Sequence, residues 1–249
     1  MTVTLNSDMG ESFGIHSFGN DDGLLPLIDS ANVACGFHAG DPVGIHETVT
    51  KAAVAGVAIG AHPGLPDAVG FGRREMKLFA EEVRDLVLYQ VAAVKGFLDA
   101  EGVPLDHIKP HGSLYGMVGR DEDLMDAVCD VAVMYGVPVY GMTGTAHERV
   151  TARRGVDFVG EYYVDLRYRP DGTLIIPRRP QATPPDVAAG RARLAMAEGV
   201  TETEDGSRIP VRFDSVCVHS DTPNAVDVAS AVREVIGPKS SGTRSEKGS

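Results

Sequence analysis

The chain has 249 residues, 43% of them apolar and 23% charged, which is enough to fill one hydrophobic core and cover it with solvated groups. Its formal charge of -12 argues against a nucleic-acid binder, because phosphate contacts need clustered Lys and Arg. No apolar run approaches the roughly 20 residues that span a bilayer, no basic-then-apolar leader opens the chain, and Cys35, Cys129 and Cys217 form no CxxC pair. The expectation is a cytoplasmic protein with reduced thiols and a small-molecule substrate, touching neither membrane nor nucleic acid.

Short β-rich runs alternate with longer segments of helical period, the pattern of a parallel sheet with crossover helices. A strand over 2–6 leads to a second over 30–34; Asp41 and Pro42 then supply a capping carboxylate and a first-turn proline for a helix over 43–55 that Gly56 ends. A third strand over 57–61 precedes an amphipathic helix over 79–101, with Val83, Leu86, Val87, Val91, Val94 and Leu98 on one stripe. Strands over 105–109, 138–141, 157–161 and 213–218 follow, separated by helices over 121–135, 145–154 and 185–198, and a helix over 223–236 closes the fold. Residues 167–185 are too irregular for a simple connection and read as a hairpin or lid over the site. A single catalytic domain over 1–238 and a disordered polar tail over 239–249 are expected.

In parallel α/β folds the loops after the strands converge on one face, and catalytic groups collect there. The first strand runs into Asn6, Ser7, Asp8 and Glu11, the second into His38 and Asp41, the third into His62, the fourth into Lys109 and His111, the sixth into Glu161 and Asp165, and the seventh into His219 and Asp221. One strand-end histidine is ordinarily structural; four at equivalent points favour a site. His16, His46, His107 and His147 lack such placement and read as surface or helix residues. Asp41 reads first as a helix cap. Gly36, Gly40, Gly60, Gly64 and Gly112 allow tight loops or close backbone approach. Arg73 and Arg74 offer guanidinium groups for a carboxylate or phosphate, or form a solvated pair.

Asp8, His38 and His62 fit a two-histidine, one-carboxylate metal site with open positions. Metal-free acid/base work, with a carboxylate activating water and Lys109 or an imidazole polarising a carbonyl, fits equally well. Ser113 and Ser220 adjoin histidines in sequence but no GxSxG elbow supports a nucleophile, and neither GxxxxGK[ST] nor GxGxxG is present.

These residues resemble the LamB/YcsF family, whose members include one component of bacterial ATP-dependent 5-oxoprolinase. The resemblance is carried by LNSDMGESFG at 5–14, SANVACGFHAGDP at 30–42, GVAIGAHPGLPD at 56–67, GFGRR at 70–74, KPHGSLY at 109–115 and CVHSDTPNA at 217–225. It implies an irregular seven-stranded (β/α) barrel of the glycoside hydrolase/deacetylase type. It also implies ATP-driven opening of the lactam of 5-oxoproline to L-glutamate, alongside two partner subunits. The motif residues carried over are Asp8, Glu11, His38, Asp41, His62, Lys109, His111, Glu161, His219 and Asp221. Ser7, Leu166 and Ser220 depart from the family's usual residues.

The resulting assignment has Asp8 and Glu11 as base or metal ligand, His38 and His62 as ligands or proton carriers, and Lys109 with His111 polarising the carbonyl. Asn6, Arg73, Glu161, Asp165, His219 and Asp221 are expected to bind substrate. A divalent metal and a homo-oligomer stay open, as do two rivals: a metal-dependent deacetylase or amidohydrolase acting alone, and a non-catalytic lactam- or carbohydrate-binding subunit.

Overall fold

The computed structural model describes residues 2–177 and 179–239. In chain order it contains β1 (Thr4–Met9), α1 (Asp21–Leu24), β2 (Ser30–Ala34), α2 (Pro42–Val54), β3 (Ala58–His62) and α3 (Ala80–Ala100). There follow α4 (Gly112–Arg120), α5 (Glu122–Tyr135), β4 (Val139–Gly141), α6 (Ala146–Arg154), β5 (Phe158–Tyr163), β6 (Arg167–Tyr168) and β7 (Leu174–Ile175). The chain ends on α7 (Pro185–Glu198), β8 (Val200–Glu202), β9 (Arg208–Pro210), β10 (Ser215–His219) and α8 (Ala225–Ile236). The expected tail lies, from residue 240 on, outside the described residues; Lys239 is described, its Nζ 3.2 Å from the Ala55 carbonyl.

Six strands pair in parallel in the order β3-β2-β1-β10-β5-β4 and curl into a half-barrel surrounded by helices. The segment expected as the fourth strand is not a regular strand. Instead, Ile108 forms isolated bridges to Ala61 and to Val139, so this one stretch spans the two edges of the sheet. Asp106 N donates to Ile59 O and Lys109 N to Ala61 O on one side, at 2.8 and 2.9 Å, and Tyr140 N donates to Ile108 O on the other at 3.0 Å. Pro104 and Pro110 flank it, and their missing N–H groups limit its ladder. The barrel thus has the expected seven staves, one of them irregular.

Other boundaries move in ways that matter. β1 continues to Met9 and holds register with β10 through Asp8 opposite His219, so Asn6, Ser7 and Asp8 are strand residues rather than loop residues. β5 likewise runs past Glu161 to Tyr163. The irregular stretch after β5 does form a hairpin, β6 with β7, while the hairpin of β8 with β9 and the helices α1 and α4 have no counterpart in the sequence pattern.

Because strand side chains alternate, the barrel has two kinds of lining. Leu5, Met9, Ala31, Val33, Ile59, Ala61, Ile108, Val216 and Val218 are buried apolar residues that join the helices in one core. In α3, Val83, Val87, Val91 and Val94 are completely buried. Burying each contributes about 1.5–3 kcal/mol, well above the ~0.7 kcal/mol at most that a β-branched residue costs a helix, so packing decides. Asp41 caps α2 as expected, its carboxylate accepting from Val43 N and Gly44 N.

The alternate positions are polar. Asn6 Nδ2 donates to Ser215 Oγ at 2.7 Å, Asn32 Nδ2 to Asn6 Oδ1 at 2.9 Å, and His107 Nε2 to Asn32 Oδ1 at 2.6 Å, with the His107 ring stacked on Tyr140 at 3.9 Å. His107 is therefore a fully buried barrel residue and not a surface one. It needs a side-chain-free neighbour: a Cβ on Gly60 would lie 2.2 Å from its Nε2. Gly60→Ala should consequently destabilise the protein by about 1–3 kcal/mol through overpacking. Urea unfolding is the check, and an unchanged midpoint would show that His107 has room to move.

Candidate active site

Lys109 sits at the centre of the barrel mouth, fully enclosed. Its Nζ lies 2.9 Å from Asp8 Oδ1, 3.1 Å from Glu161 Oε1, 3.1 Å from Cys217 Sγ and 3.4 Å from Asn6 Oδ1. Burial alone would drive the proton off, but Asp8, Cys217 and Glu161 outweigh it and hold the ammonium well above the ordinary lysine range. The same logic runs in reverse at Asp8. Burial favours its neutral form, yet His62, Lys109 and His219 keep the carboxyl well below its usual value. Asn32 Nδ2 donates to Asp8 Oδ1 at 2.8 Å, and Tyr163 OH donates to Glu161 Oε2 at 2.9 Å.

Beside this centre stands a layer of histidines. His38, His62 and His111 are buried with Glu11, and one donor atom from each of the four falls within 4.8 Å of all the others. His38 Nε2 is 3.2 Å from Glu11 Oε1, His111 Nδ1 is 3.5 Å from that oxygen, and His111 Nδ1 is 3.0 Å from His62 Nε2. The His38 and His111 rings stack at 3.6 Å. His62 Nε2 faces Asp8 Oδ1 at 3.4 Å, joining the two layers. Burial, with neighbouring imidazoles, depresses His38 and His111 well below the histidine range. Burial and the surrounding carboxylates Asp221 and Asp8 push Glu11 well above the carboxylate range.

The backbone that carries the layer explains two positions in the GFG run. Phe71 has φ +54°, unusual for a residue with a side chain, and its carbonyl accepts from His111 Nε2 at 2.8 Å. Next to it, a Cβ on Gly72 would meet His38 Cβ at 2.8 Å and His111 Cδ2 at 2.9 Å, so only glycine lets the chain pass over the rings.

His219 completes the mouth on the far side. Asp165 accepts from His219 N at 2.8 Å and from its Nδ1 at 3.1 Å, leaving Nε2 pointed 3.7 Å from Asp8 Oδ2. Burial pulls this imidazole down, but Asp165, Asp8 and Asp221 more than offset it and raise it above 6.5. Arg73 ion-pairs with Asp221 at 2.8 Å and donates to the Pro177 carbonyl at 3.3 Å, tying the β6–β7 hairpin segment to the site.

A cavity of about 340 Å³ opens there, lined by Arg73, Asp165, Leu166, Pro177, His219 and Asp221 among others. A smaller one of about 30 Å³ next to it is lined by Asp8, His62, Lys109, His111, Tyr163 and His219. The structure therefore brings Asp8, Glu11, His38, His62, Lys109, His111 and His219 together, and places Arg73, Asp165 and Asp221 on the adjoining wall. Asn6 and Glu161 sit beneath Lys109 instead of lining either cavity. Asp8, His38 and His62 do not form the tightest metal-ligand set: Glu11, His38, His62 and His111 make one group, and Asp8 makes another with Cys217 and His219. Asn32, His107, Cys217, Tyr163 and Phe71 are site or supporting residues that the strand-end pattern passes over. His147 is buried as well; burial lowers its imidazole to about 4 while Met142 N and Tyr115 O hold its two nitrogens.

The LamB/YcsF family model matches residues 3–246. The lactam utilization protein lamB of Emericella nidulans is 43% identical over 236 residues, covering 93% of each chain. The A subunit of 5-oxoprolinase from Thermus thermophilus is 45% identical over 240 residues, covering 95% of this chain and 96% of that one. The crystal structure of a lactam utilization protein from Thermus thermophilus superimposes with a TM-score of 0.86 at 44% identity, over 95% of this chain and 96% of that chain.

The His219–Asp165 pair gives a pH prediction with a definite sign. Its folded-state proton affinity is raised, so the charged pair persists above pH 6.5 and is lost as pH climbs through the folded value. An NMR titration of the His219 ring should find its midpoint above that value, and Asp165→Asn should move it to lower pH. A wild-type midpoint below 6.5, or one that the substitution leaves in place, would refute the assignment.

Proposed function

The chain belongs to the LamB/YcsF family, and from that membership and the geometry of its barrel mouth we propose that it hydrolyses the lactam of 5-oxoproline to L-glutamate as one component of an ATP-coupled enzyme. The observation that carries this reading is the set Asp8, Lys109 and His219 on one small cavity, with Asp8 ionised, Lys109 charged and His219 holding its proton above the ordinary range. Groups whose environments drive their proton affinities apart have separate acid and base duties.

In the reaction a water beside Asp8 attacks the lactam carbon and gives its proton to that carboxylate. Negative charge gathers on the carbonyl oxygen and is stabilised by the Lys109 ammonium. The three hydrogen bonds of Lys109 Nζ go to Asp8, Cys217 and Asn6, with Glu161 as a further ion-pair partner, so the substrate oxygen takes the place of one of the two neutral acceptors, Cys217 or Asn6. The C–N bond then breaks as His219 delivers its proton to the departing nitrogen, and the product is the open-chain amino acid. The larger cavity, about 340 Å³, falls within the range for small-molecule sites, and Arg73 on its wall suits the substrate carboxylate.

A resonance-stabilised amide is a poor electrophile, and ATP coupling is assigned to two partner subunits. The naming of relatives as one lettered subunit of a 5-oxoprolinase supports that reading. The purified chain alone should therefore release no glutamate from 5-oxoproline, and adding both cognate partners with ATP should start turnover. In that reconstituted enzyme Asp8→Asn should lower kcat by at least about a hundredfold, with a near-native melting curve. Robust ATP-dependent turnover by the isolated chain would remove the need for partners. Wild-type kcat in a folded Asp8→Asn enzyme would remove Asp8 from the chemistry.

A further inference from the structure

The histidine layer is not used by the reaction just described, and with neutral rings and an ionised Glu11 its hydrogen bonding does not close without a further proton or a metal cation. His62 Nδ1 lies 2.7 Å from the Lys109 carbonyl and His111 Nε2 lies 2.8 Å from the Phe71 carbonyl. A carbonyl oxygen only accepts, so both of those nitrogens carry the hydrogen. In neutral rings the opposite nitrogens, His62 Nε2 and His111 Nδ1, then hold bare lone pairs, and they face each other at 3.0 Å. Glu11 Oε1 adds a third acceptor, 3.5 Å from His111 Nδ1. His38 Nδ1 has no partner among the described residues, so its proton belongs on Nε2, which donates to Glu11 Oε1 at 3.2 Å and holds that carboxylate in place. Among the described residues, the ion pairs of Glu11 are with histidines and none is with Lys or Arg.

We infer that Glu11, His62 and His111 form a binding site for one divalent, zinc-type cation, with His38 as the residue that orients Glu11. The separations fit: ligands about 2.0–2.1 Å from a tetrahedral ion lie about 3.3 Å from one another. Two edges of the ligand triangle, at 3.0 and 3.5 Å, bracket that value. Both ligating histidines have the carbonyl partner that fixes the tautomer of a metal-bound imidazole. Three protein ligands leave a fourth position, and the neighbouring 30 Å³ cavity, which His62 and His111 line with Asp8, is where it would open.

The second donor group, Asp8 with Cys217 and His219, is the poorer candidate. Lys109 Nζ already stands 2.9 Å from Asp8 and 3.1 Å from Cys217, so that group has its cation. The histidine site goes beyond the proposed hydrolysis and is independent of it, because binding is measured without turnover.

The test uses the purified full-length chain, stripped with chelator and titrated with zinc by calorimetry, then with cobalt followed by visible absorption. About one equivalent of zinc should bind, and cobalt should give the d–d bands of a low-coordinate nitrogen and oxygen site with no thiolate charge-transfer band. Glu11→Gln, His62→Gln and His111→Gln should each weaken zinc at least about a hundredfold, His38→Asn should weaken it less, and Cys217→Ser should leave the stoichiometry unchanged. Circular dichroism and melting curves identify any variant that fails to fold, and the wild-type stoichiometry and cobalt spectrum decide the matter without them. Failure of the wild-type chain to bind zinc, a thiolate band, or full affinity in folded His62→Gln and His111→Gln variants would overturn the site.

Discussion

A single buried ammonium governs how this barrel is built. Removing an ion from water costs several kcal/mol even after the protein relaxes, and that cost is met only by close, well-oriented counter-charges and acceptors. Lys109 is enclosed at the barrel mouth, and Asp8, Glu161, Cys217 and Asn6 converge on it from β1, β5 and β10. Each of these acceptors brings its own requirement. Asp8 needs Asn32, Glu161 needs Tyr163, and Asn6 needs Ser215, so a polar network fills the interior where many barrels place branched apolar side chains. The apolar core is accordingly found outside the sheet, between the strands and helices such as α3 and α8.

Much of this is readable in the sequence because polar residues stand at strand ends where a bare propensity argument has no use for them. Asp8, His62, Lys109, Glu161 and His219 declare themselves that way. The supporting layer does not, because it lies inside the strands, and its signal is period two. Moving back two positions from Asp8 gives Asn6, from His62 gives Gly60, from Lys109 gives His107, and from His219 gives Cys217 and then Ser215; all line the same interior. Asn32, a polar residue in the apolar run Ser30–Ala34, carries the same message. His107 reads as a surface residue when judged by distance from a strand end, and as an interior one when judged by parity.

Elements that depend on long-range contacts are less legible. Residues 105–109 look like a strand by composition, yet they pair in isolated bridges because Pro104 and Pro110 interrupt the ladder. The GFG run at 70–72 reads as generic turn chemistry. Its purpose becomes visible only when the Phe71 carbonyl is seen under His111 and the Gly72 backbone between His111 and His38. No local pattern distinguishes a glycine that relaxes a turn from one that makes room for an imidazole.

The site is thus divided into two halves that differ in how their charge is balanced. On one side the cation is covalent and permanent: the Lys109 ammonium is held by acceptors on three strands and cannot leave. On the other side, Glu11, His62 and His111 present acceptors to one another and their balance must come from something exchangeable, a proton or an ion. The halves touch where His62 Nε2 faces Asp8 Oδ1 at 3.4 Å, so whatever occupies the exchangeable side also sets how strongly Asp8 attracts a proton. A cation bound there would lower the basicity of Asp8. Asp8 Oδ1 thus meets both a fixed charge, the Lys109 ammonium, and the His62 ring through which an ion at the proposed site would act on it.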